Sequence, residues 1–389
     1  MMNNVKHFCF VVLFFSSAIC LAQESSKFKE NLSFRGYLKY MQTLGFASES
    51  ELAVDNLIHN RLNFGYDLGN GHRIVSEFRN RIFYGASVSS IPNYGKLINE
   101  YDGVLPFEFL IVGNSNVVMS TIIDRAYYQY SSEKTQLRLG RQRINWGINT
   151  TWNPNDVFNS YNIYDFDYEE REGADAIRFS YFPTYMSSID VAYKFTGDWK
   201  TDIFSAMYKF NTMNYDFQFL AGKFQEKISV GTGWAGSIKS IGFKGELTVF
   251  KPYENNGEAT NTSFSTSFDY SLKNGTYLMT SYLFNSSGTN LVSDSVNDVF
   301  EVPNAEYLMP AKHNAMGTVS YMFSPIFTGS LMTVYSFGVN SLSLAPTTTF
   351  SIMNNLDLDV IGQFFWQEFS TSSFKNIGNG IYWRFKWSF

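Results

Sequence analysis

Cysteine, histidine and long apolar runs are scarce in this sequence. The 389 residues include two cysteines and four histidines, and both cysteines, Cys9 and Cys20, lie near the N-terminus. The rest of the chain therefore offers no thiol for a disulfide framework or for a cysteine-based metal or redox centre. After Ala22, no stretch holds the ~18 consecutive apolar residues that a transmembrane helix requires.

Charge is low as well. Charged residues make up 17% of the chain, against ~25% in a typical soluble domain, and aromatic residues make up 18%. The net charge of −5 lacks the basic excess of a nucleic-acid-binding protein, so no nucleic-acid partner is predicted. Low charge, many aromatic residues and no long apolar run are typical of a transmembrane β-barrel, which spreads its hydrophobicity over alternating positions.

The first residues have the pattern of a secretory signal. Lys6 gives a positive start, an apolar run of about twelve residues follows at 8–19, and small residues end at Ala22. We predict that residues 1–22 are a signal peptide, cleaved after Ala22. The alternative is a lipoprotein cleaved before Cys20, but Ile19 then stands where a small residue is expected.

The C-terminal segment shows the strand pattern most clearly. Successive side chains of a β-strand point to opposite faces, and here one face is apolar and the other polar. The apolar positions are Ile381, Trp383, Phe385, Trp387 and Phe389, and the polar positions are Tyr382, Arg384, Lys386 and Ser388. One half-buried strand of a soluble sandwich is the alternative, but the same alternation recurs along the whole chain.

We count about eighteen such segments, with sixteen as the alternative because the stretches at 228–250 and 325–358 divide in more than one way. Short turns alternate with long connections, as in outer-membrane barrels. The predicted fold is an all-β, transmembrane, antiparallel β-barrel over residues 23–389, closed by pairing the last strand with the first. Its long outer loops are predicted at 85–117, 147–173 and 286–312. A shorter outer connection at 45–56 comes before them, so the loop at 147–173 is the third outer loop.

Charged residues cluster on the predicted inner face and on the third outer loop. We predict that they form the selectivity zone of a pore, because charge inside a pore sets ion selectivity. The wall residues are Arg61, Glu77, Arg79, Arg81, Arg125, Arg138 and Arg178, and the loop residues are Asp156, Asp165, Asp167, Glu169 and Glu170. The alternative is that these residues pair with one another and only line a wet wall. Arg141 and Arg143 fall on the outward phase, which indicates a structural role unless a bulge shifts that phase.

One stretch carries a motif. Its residues are Gly140, Arg141, Gln142, Trp146, Gly147, Pro154 and Asp156. They resemble the GRQ…WG…P-x-D element of porin-like outer-membrane β-barrels, grouped with phosphate-selective and alginate-export-type porins. The resemblance implies a pore in the outer membrane of a Gram-negative bacterium, an assembly signal at Phe389 read by the barrel-assembly machinery, and, by analogy, a homo-trimer. The lysine ladder of a phosphate-selective lumen is not apparent.

Other chemistries have weaker support. The histidines beyond the signal are His59, His72 and His313, and none has a Ser or Asp at triad spacing, so an outer-membrane hydrolase is only an alternative. The loop carboxylates lack the glycine of an EF-hand Ca²⁺ loop, so no metal or other cofactor is predicted. The loop aromatics fit either a sugar-stacking surface or a core that packs the loop: Trp146, Trp152, Phe158, Tyr161, Tyr164, Phe166 and Tyr168.

The sequence therefore predicts a channel for passive diffusion of small polar or charged solutes, surrounded by outer-membrane lipid and narrowed by the third outer loop. A non-conducting barrel that anchors a surface complex is the alternative from a different class of function.

Overall fold

The structure is a computed structural model, and it describes residues 30–46, 52–99, 103–160, 162–167, 172–254, 257–292, 304–370 and 373–389. The predicted signal peptide, Glu169 and Glu170 lie outside these ranges.

Alternating apolar and polar side chains build nineteen β-strands in the described ranges. They are β1 (Leu32–Phe46), β2 (Ala53–Gly69), β3 (His72–Gly85), β4 (Glu108–Gly113), β5 (Val117–Ser131), β6 (Thr135–Gln142), β7 (Ala174–Thr184), β8 (Ser187–Lys194), β9 (Ile203–Thr212), β10 (Tyr215–Phe224), β11 (Lys227–Ile238), β12 (Ile241–Pro252), β13 (Asn261–Ser271), β14 (Tyr277–Asn285), β15 (His313–Ser324), β16 (Phe327–Phe337), β17 (Ser341–Met353), β18 (Leu356–Phe369) and β19 (Ser373–Ser388). Two short helices, α1 (Ala86–Ser90) and α2 (Tyr94–Leu97), lie between β3 and β4.

Eighteen of these strands form a closed antiparallel barrel. β1 pairs with β2 on one side and with β19 on the other, from Tyr37 opposite Ser388 to Phe46 opposite Asn379. The short β4 is extra, because it pairs with the part of β5 that extends beyond the end of β6. Closure leaves no unpaired edge to be exposed in a lipid bilayer. The predicted barrel and the count of eighteen strands are confirmed.

The connections differ at the two ends of the barrel. One end has turns of two to five residues, such as Asn70–Gly71 between β2 and β3. Gly69, Asn70 and Gly71 all have positive φ, a conformation that glycine and asparagine tolerate best. The longest connections, at 86–116, 143–173 and 286–312, lie together at the other end. This is the asymmetry of outer-membrane barrels, with short periplasmic turns and long outer loops.

The two faces of the wall differ in chemistry. Large apolar side chains such as Phe34, Leu38 and Trp387 are exposed on the outer face, whereas Lys39 and Arg61 are buried inside the barrel. Bilayer lipid is the solvent that suits the outer face. Across the barrel seam, Phe389 and Gly36 exchange two backbone hydrogen bonds of 2.9 Å.

Among the described residues, no helix is both long enough and apolar enough to cross a membrane.

Candidate functional site

The connection at 143–173, called the third outer loop below, leaves the wall at the end of β6. At this point Gly140 has a φ of +116°, and a Cβ atom on it would stand 2.3 Å from the carbonyl oxygen of Ala126. A side chain does not fit here without moving the backbone of β5. The motif glycine is therefore explained by this close approach of two strands.

Replacing Gly140 with alanine is expected to destabilise the barrel by about 1–3 kcal/mol, since a non-glycine residue would be strained at this φ. Urea unfolding of the barrel in detergent micelles would measure the loss. The control is Gly378→Ala on β19, where a new Cβ would meet open space. Equal stability of the two variants would contradict the role assigned to Gly140.

Arg141 connects β4, β6 and β7 at the point where the loop leaves the wall. Its Nε lies 2.7 Å from Asp175 on β7, its Nη1 contacts Glu108 on β4, and its Nη2 donates to the carbonyl of Leu105 at 2.7 Å. The side chain has the outward phase, yet it is 0% exposed because residues 105–108 cover it. The Phe107 ring stacks 4.9 Å from the guanidinium. Arg141 therefore joins three strands at the loop exit and does not line the lumen.

The first part of the loop docks on inward-facing side chains of β10 to β13. Gln218 donates to the carbonyl of Trp146 at 2.8 Å, and Thr248 donates to the side chain of Asn155 at 2.6 Å. The Glu246 carboxylate accepts three backbone N–H groups of the loop, at 2.5, 2.7 and 2.9 Å. These polar wall positions thus supply the partners that the irregular backbone of the loop needs.

Apolar packing fixes the same part of the loop. Trp146 and Phe158 meet edge to face, with ring centres 4.9 Å apart, and they pack with Met207 and Leu220 of the wall. Trp152 and further residues form a second cluster with the wall and with the 286–312 connection: Ile163, Leu283, Leu308, Met309, Met316 and Val334. Trp146, Trp152 and Phe158 therefore belong to a core that packs the loop, and they are not exposed for sugar stacking.

The last described part of the loop reaches a different region of the wall. The carbonyl of Tyr164 accepts a hydrogen bond of 2.8 Å from Gln363 on β18, and burial raises the pKa of Tyr164 to about 12. The Phe166 ring lies edge-on to Tyr382 of β19, with centres 4.6 Å apart. The loop therefore contacts strands that are far apart around the barrel.

Asp167 ends this segment inside a cluster of basic side chains. Its carboxylate lies 3.1 Å from Lys39, 3.2 Å from His59 and 3.3 Å from Arg384. Burial alone would raise the pKa of Asp167, but the hydrogen bond with His59 and the charges of Lys39 and Arg384 outweigh it, so the pKa lies well below its usual range. The lowered pKa means that the ionised Asp167 stabilises the docked loop at every pH above the ordinary pKa of an aspartate. The contact with the basic cluster is lost only when acid protonates Asp167.

The wall arginines are largely paired. Arg61 contacts Asp124 at 2.5 Å and Glu77 at 2.6 Å, and Arg79 contacts the other oxygen of Asp124 at 2.9 Å. Arg125 donates to the carbonyl of Asp124 at 2.7 Å. A register shift between β3 and β5 puts Asp124 and Arg125 on the same inner face. The structure thus brings two of the predicted wall residues, Arg61 and Arg79, onto one carboxylate that the prediction omitted, with Glu77 and Arg125 beside them.

The other predicted arginines lie apart from that group. Arg178 forms two hydrogen bonds with Asp190, at 2.8 and 2.9 Å. Arg138 sits directly opposite Arg178 on β6 and donates to Gln129 at 2.8 Å. Arg81 donates to the carbonyl of Ile98 in the connection at 86–116. The inner wall therefore carries several separate basic positions, each with a polar partner.

Comparison with known proteins gives a match at the level of structure. Acinetobacter baumannii OccAB3 superposes with a TM-score of 0.59 at 11% identity, over 92% of this chain and 99% of that one. OccAB4 of the same organism gives 0.60 at 10% identity, over 92% and 98% of the two chains. Pseudomonas aeruginosa OprD gives 0.57 at 10% identity, over 94% and 97%. No family model and no curated protein matches the sequence.

The chain has the fold of an 18-stranded outer-membrane porin. The porin fold supports the predicted location in the outer membrane. The structure also shows the partners of the three histidines: His72 contacts the hydroxyl of Tyr128, His313 contacts that of Tyr282, and His59 contacts Tyr37 and Asp167. Within the described ranges, none of the three hydrogen-bonds a serine.

The loop carboxylates occupy different positions in this porin fold. Asp156 is fully buried, and its carboxylate accepts from the backbone N–H of Trp146, so it belongs to the interior of the loop. Asp165 is exposed, and Asp167 lies in the basic cluster described above. Glu169 and Glu170 lie outside the described residues.

Several residues of the candidate site were absent from the predicted set. Lys39, Arg384 and Glu246 all lie at polar positions of alternating strands, so their inward direction was readable. Their partners in the loop were not readable, because more than ninety residues separate each contacting pair. Asp124 was hidden by the bulge, although Ile122-Ile123 followed by Asp124-Arg125 breaks the alternation and marks it.

Proposed function

We propose that the protein is a porin-like channel for passive diffusion of small polar or charged solutes, and that the third outer loop narrows its lumen. The observation that carries this proposal is the reach of the loop. Residues between Trp146 and Asp167 bond to inward side chains of β10, β12, β13, β18, β1 and β2. A barrel of eighteen strands otherwise encloses an aqueous lumen.

The selectivity zone is proposed to combine the basic wall with the loop carboxylates. The wall members are Arg61, Glu77, Arg79, Arg81, Arg125, Arg138 and Arg178, joined by Lys39 and Arg384 around Asp167. The proposed loop members are Asp165, Asp167, Glu169 and Glu170. Opposed charges of this kind attract solutes of one sign and hinder the other.

Neutralising two loop carboxylates tests the proposal. In an Asp165→Asn/Asp167→Asn double variant, Lys39 and Arg384 lose their counter-charge, so the channel is expected to become more anion-selective. Reversal potentials of purified barrel in planar bilayers under asymmetric salt measure this change. Glu226→Gln is the control, because Glu226 lies in an outer turn and pairs only with exposed Lys200 among the described contacts. A reversal potential that does not move would remove the loop from the conduction path.

One observation favours a second candidate, a non-conducting barrel that anchors a surface complex. The third outer loop and the 286–312 connection share an apolar cluster inside the barrel, with Trp152 and Ile163 from one and Leu308 and Met309 from the other. Two loops packed together obstruct more of a lumen than one. If neither the wild type nor a variant without the third loop conducts in bilayers, the anchor function replaces the channel.

The finer assignments extend the same proposal. The GRQ…WG…P-x-D element supports a relationship with phosphate-selective and alginate-export-type porins, although the solute is not named by it. We include a signal peptide at residues 1–22, assembly through Phe389 by the barrel-assembly machinery, and a homo-trimer. Crosslinking of the purified barrel in detergent would test the trimer.

A further inference from the structure

Glu246 differs from the other polar residues that contact the third outer loop. It lies on β12 with 0% of its surface exposed, and its only described partners are backbone N–H groups of the loop. One carboxylate oxygen accepts from Ile148 and Asn149, and the other accepts from Asn155. No other described side chain receives three backbone N–H groups from this loop.

The three N–H groups come from two separate segments of the loop. Ile148 and Asn149 lie in the outgoing segment, before Trp152, and Asn155 lies in the returning segment, after it. Glu246 therefore clasps both sides of the loop tip that carries Trp152. A carboxyl group suits this task because both of its oxygens can accept hydrogen bonds, whereas an amide has one accepting oxygen and brings N–H donors of its own.

Neighbouring hydroxyl groups add to the docking but do not replace it. Asn149 donates to Ser265 at 2.8 Å, and Ser265 donates to the carbonyl of Trp152 at 2.8 Å. Each of these contacts joins neutral groups and fixes a single point of the loop. Loss of one such hydrogen bond shifts the equilibrium between the docked and the released loop by about fivefold.

We propose that Glu246 is the positioning residue of the third outer loop, and that its carboxylate sets the width of the conducting passage. This inference rests on the proposed channel function and deepens it. Glu246 does not contact solute; it acts through the loop backbone. Its removal releases the tip from β11 to β13 and widens the passage, while the barrel wall stays closed through its strand pairing.

The experiment combines Glu246→Gln with an engineered disulfide that a reductant can open. The hydroxyls of Thr150 and Ser267 lie 3.4 Å apart, so cysteines at these two positions are placed to link the loop tip to β13 by a disulfide. The sequence has no cysteine beyond Cys20, so the new pair forms without competing thiols. Single-channel conductance in planar bilayers is recorded before and after addition of a reductant.

In the Glu246→Gln/Thr150→Cys/Ser267→Cys variant, the reduced form is expected to conduct about twofold more than the wild type or better, and oxidation is expected to return it to the wild-type value. A merely structural role for Glu246 would not make conductance follow the disulfide. Glu368→Gln is the matched control, because Glu368 on β18 accepts a hydrogen bond from Asn340 and none from the described residues of the third loop. Its conductance is expected to equal that of the wild type.

The failures are distinguishable. If the wild type conducts and reduced Glu246→Gln matches it, or if oxidation does not lower a raised conductance, the inference is overturned and the channel proposal stands. If neither the wild type nor any variant conducts, the channel proposal itself fails. Should Glu246→Gln not assemble, Glu246→Asp takes its place, since the shorter side chain cannot reach both segments of the loop, and the same reversible rise in conductance is required of it.

Discussion

Replacing residues 145–172 with a short glycine-serine linker is expected to raise the single-channel conductance several-fold. The change removes the polar anchors of the loop inside the barrel, from the Trp146 carbonyl, which bonds to β10, to Asp167, which bonds to β1 and β2. The wall keeps its eighteen paired strands, because every wall strand and Arg141 lie outside the replaced segment. Conductance is measured in symmetrical salt, with the barrel purified in detergent and inserted into planar bilayers.

In the control variant, the same linker replaces the connection at 195–202. That connection lies at the same end of the barrel, and Trp199 at its tip is 69% exposed. Its removal is expected to leave conductance unchanged. If both variants conduct like the wild type, the third loop does not limit the passage, and the narrowest point lies elsewhere along the wall.

Arg141→Ala is expected to destabilise the barrel by about 3–5 kcal/mol, the usual cost of breaking a buried ion pair from one side. The substitution leaves Glu108 and Asp175, both largely buried, without their cation. It also frees the carbonyl of Leu105, so the segment that covers the corner between β4, β6 and β7 keeps the hydrogen bond from the Leu105 N–H to Asp175 but loses the one to Arg141. Urea unfolding from lipid vesicles measures the loss.

Arg138→Ala is the matched control, three positions earlier on the same strand. Arg138 is only partly buried and bonds to neutral Gln129. Its replacement is expected to cost about 1 kcal/mol or less. Similar losses for the two variants would mean that the corner is held by strand pairing alone, and the role given to Arg141 would be wrong.

The strands were predictable because a lipid-facing wall imposes a strict alternation. The last strand, the closure onto the first and the short turns at one end all follow from it. β4 was not predicted, since it is only a short stretch inside a long connection and pairs with the part of β5 above β6. Local alternation over so few residues does not distinguish a strand from a loop.

The candidate site was predictable in its inner-face residues but not in its contacts. The alternation identified the inward direction of Arg61, Arg79 and Arg178, and the loop with its carboxylates was recognised as one unit. Which carboxylate meets which cation depends on how an irregular loop folds inside a closed barrel. Asp124, for example, neutralises Arg61 and Arg79 only because a bulge turns it inward.

The motif residues have a structural role, although Asp156 was predicted to belong to the selectivity zone of the pore. Gly140, Arg141 and Asp156 are not pore residues in the structure: Gly140 allows a close approach of β5, Arg141 closes the wall corner, and Asp156 holds the interior of the loop. The motif therefore builds the exit and the fold of the loop. In the proposed channel, solute preference resides in other side chains.

Size exclusion of uncharged solutes tests the central claim most directly. Liposomes containing the purified barrel are placed in isotonic solutions of neutral sugars of increasing size, and the rate of swelling is followed by light scattering. The wild type is expected to admit a pentose and to exclude a trisaccharide. The variant in which residues 145–172 are replaced is expected to admit both sugars. Swelling that is absent with every sugar in both proteins, or equal for both sugars in the wild type, would contradict a channel narrowed by its third outer loop.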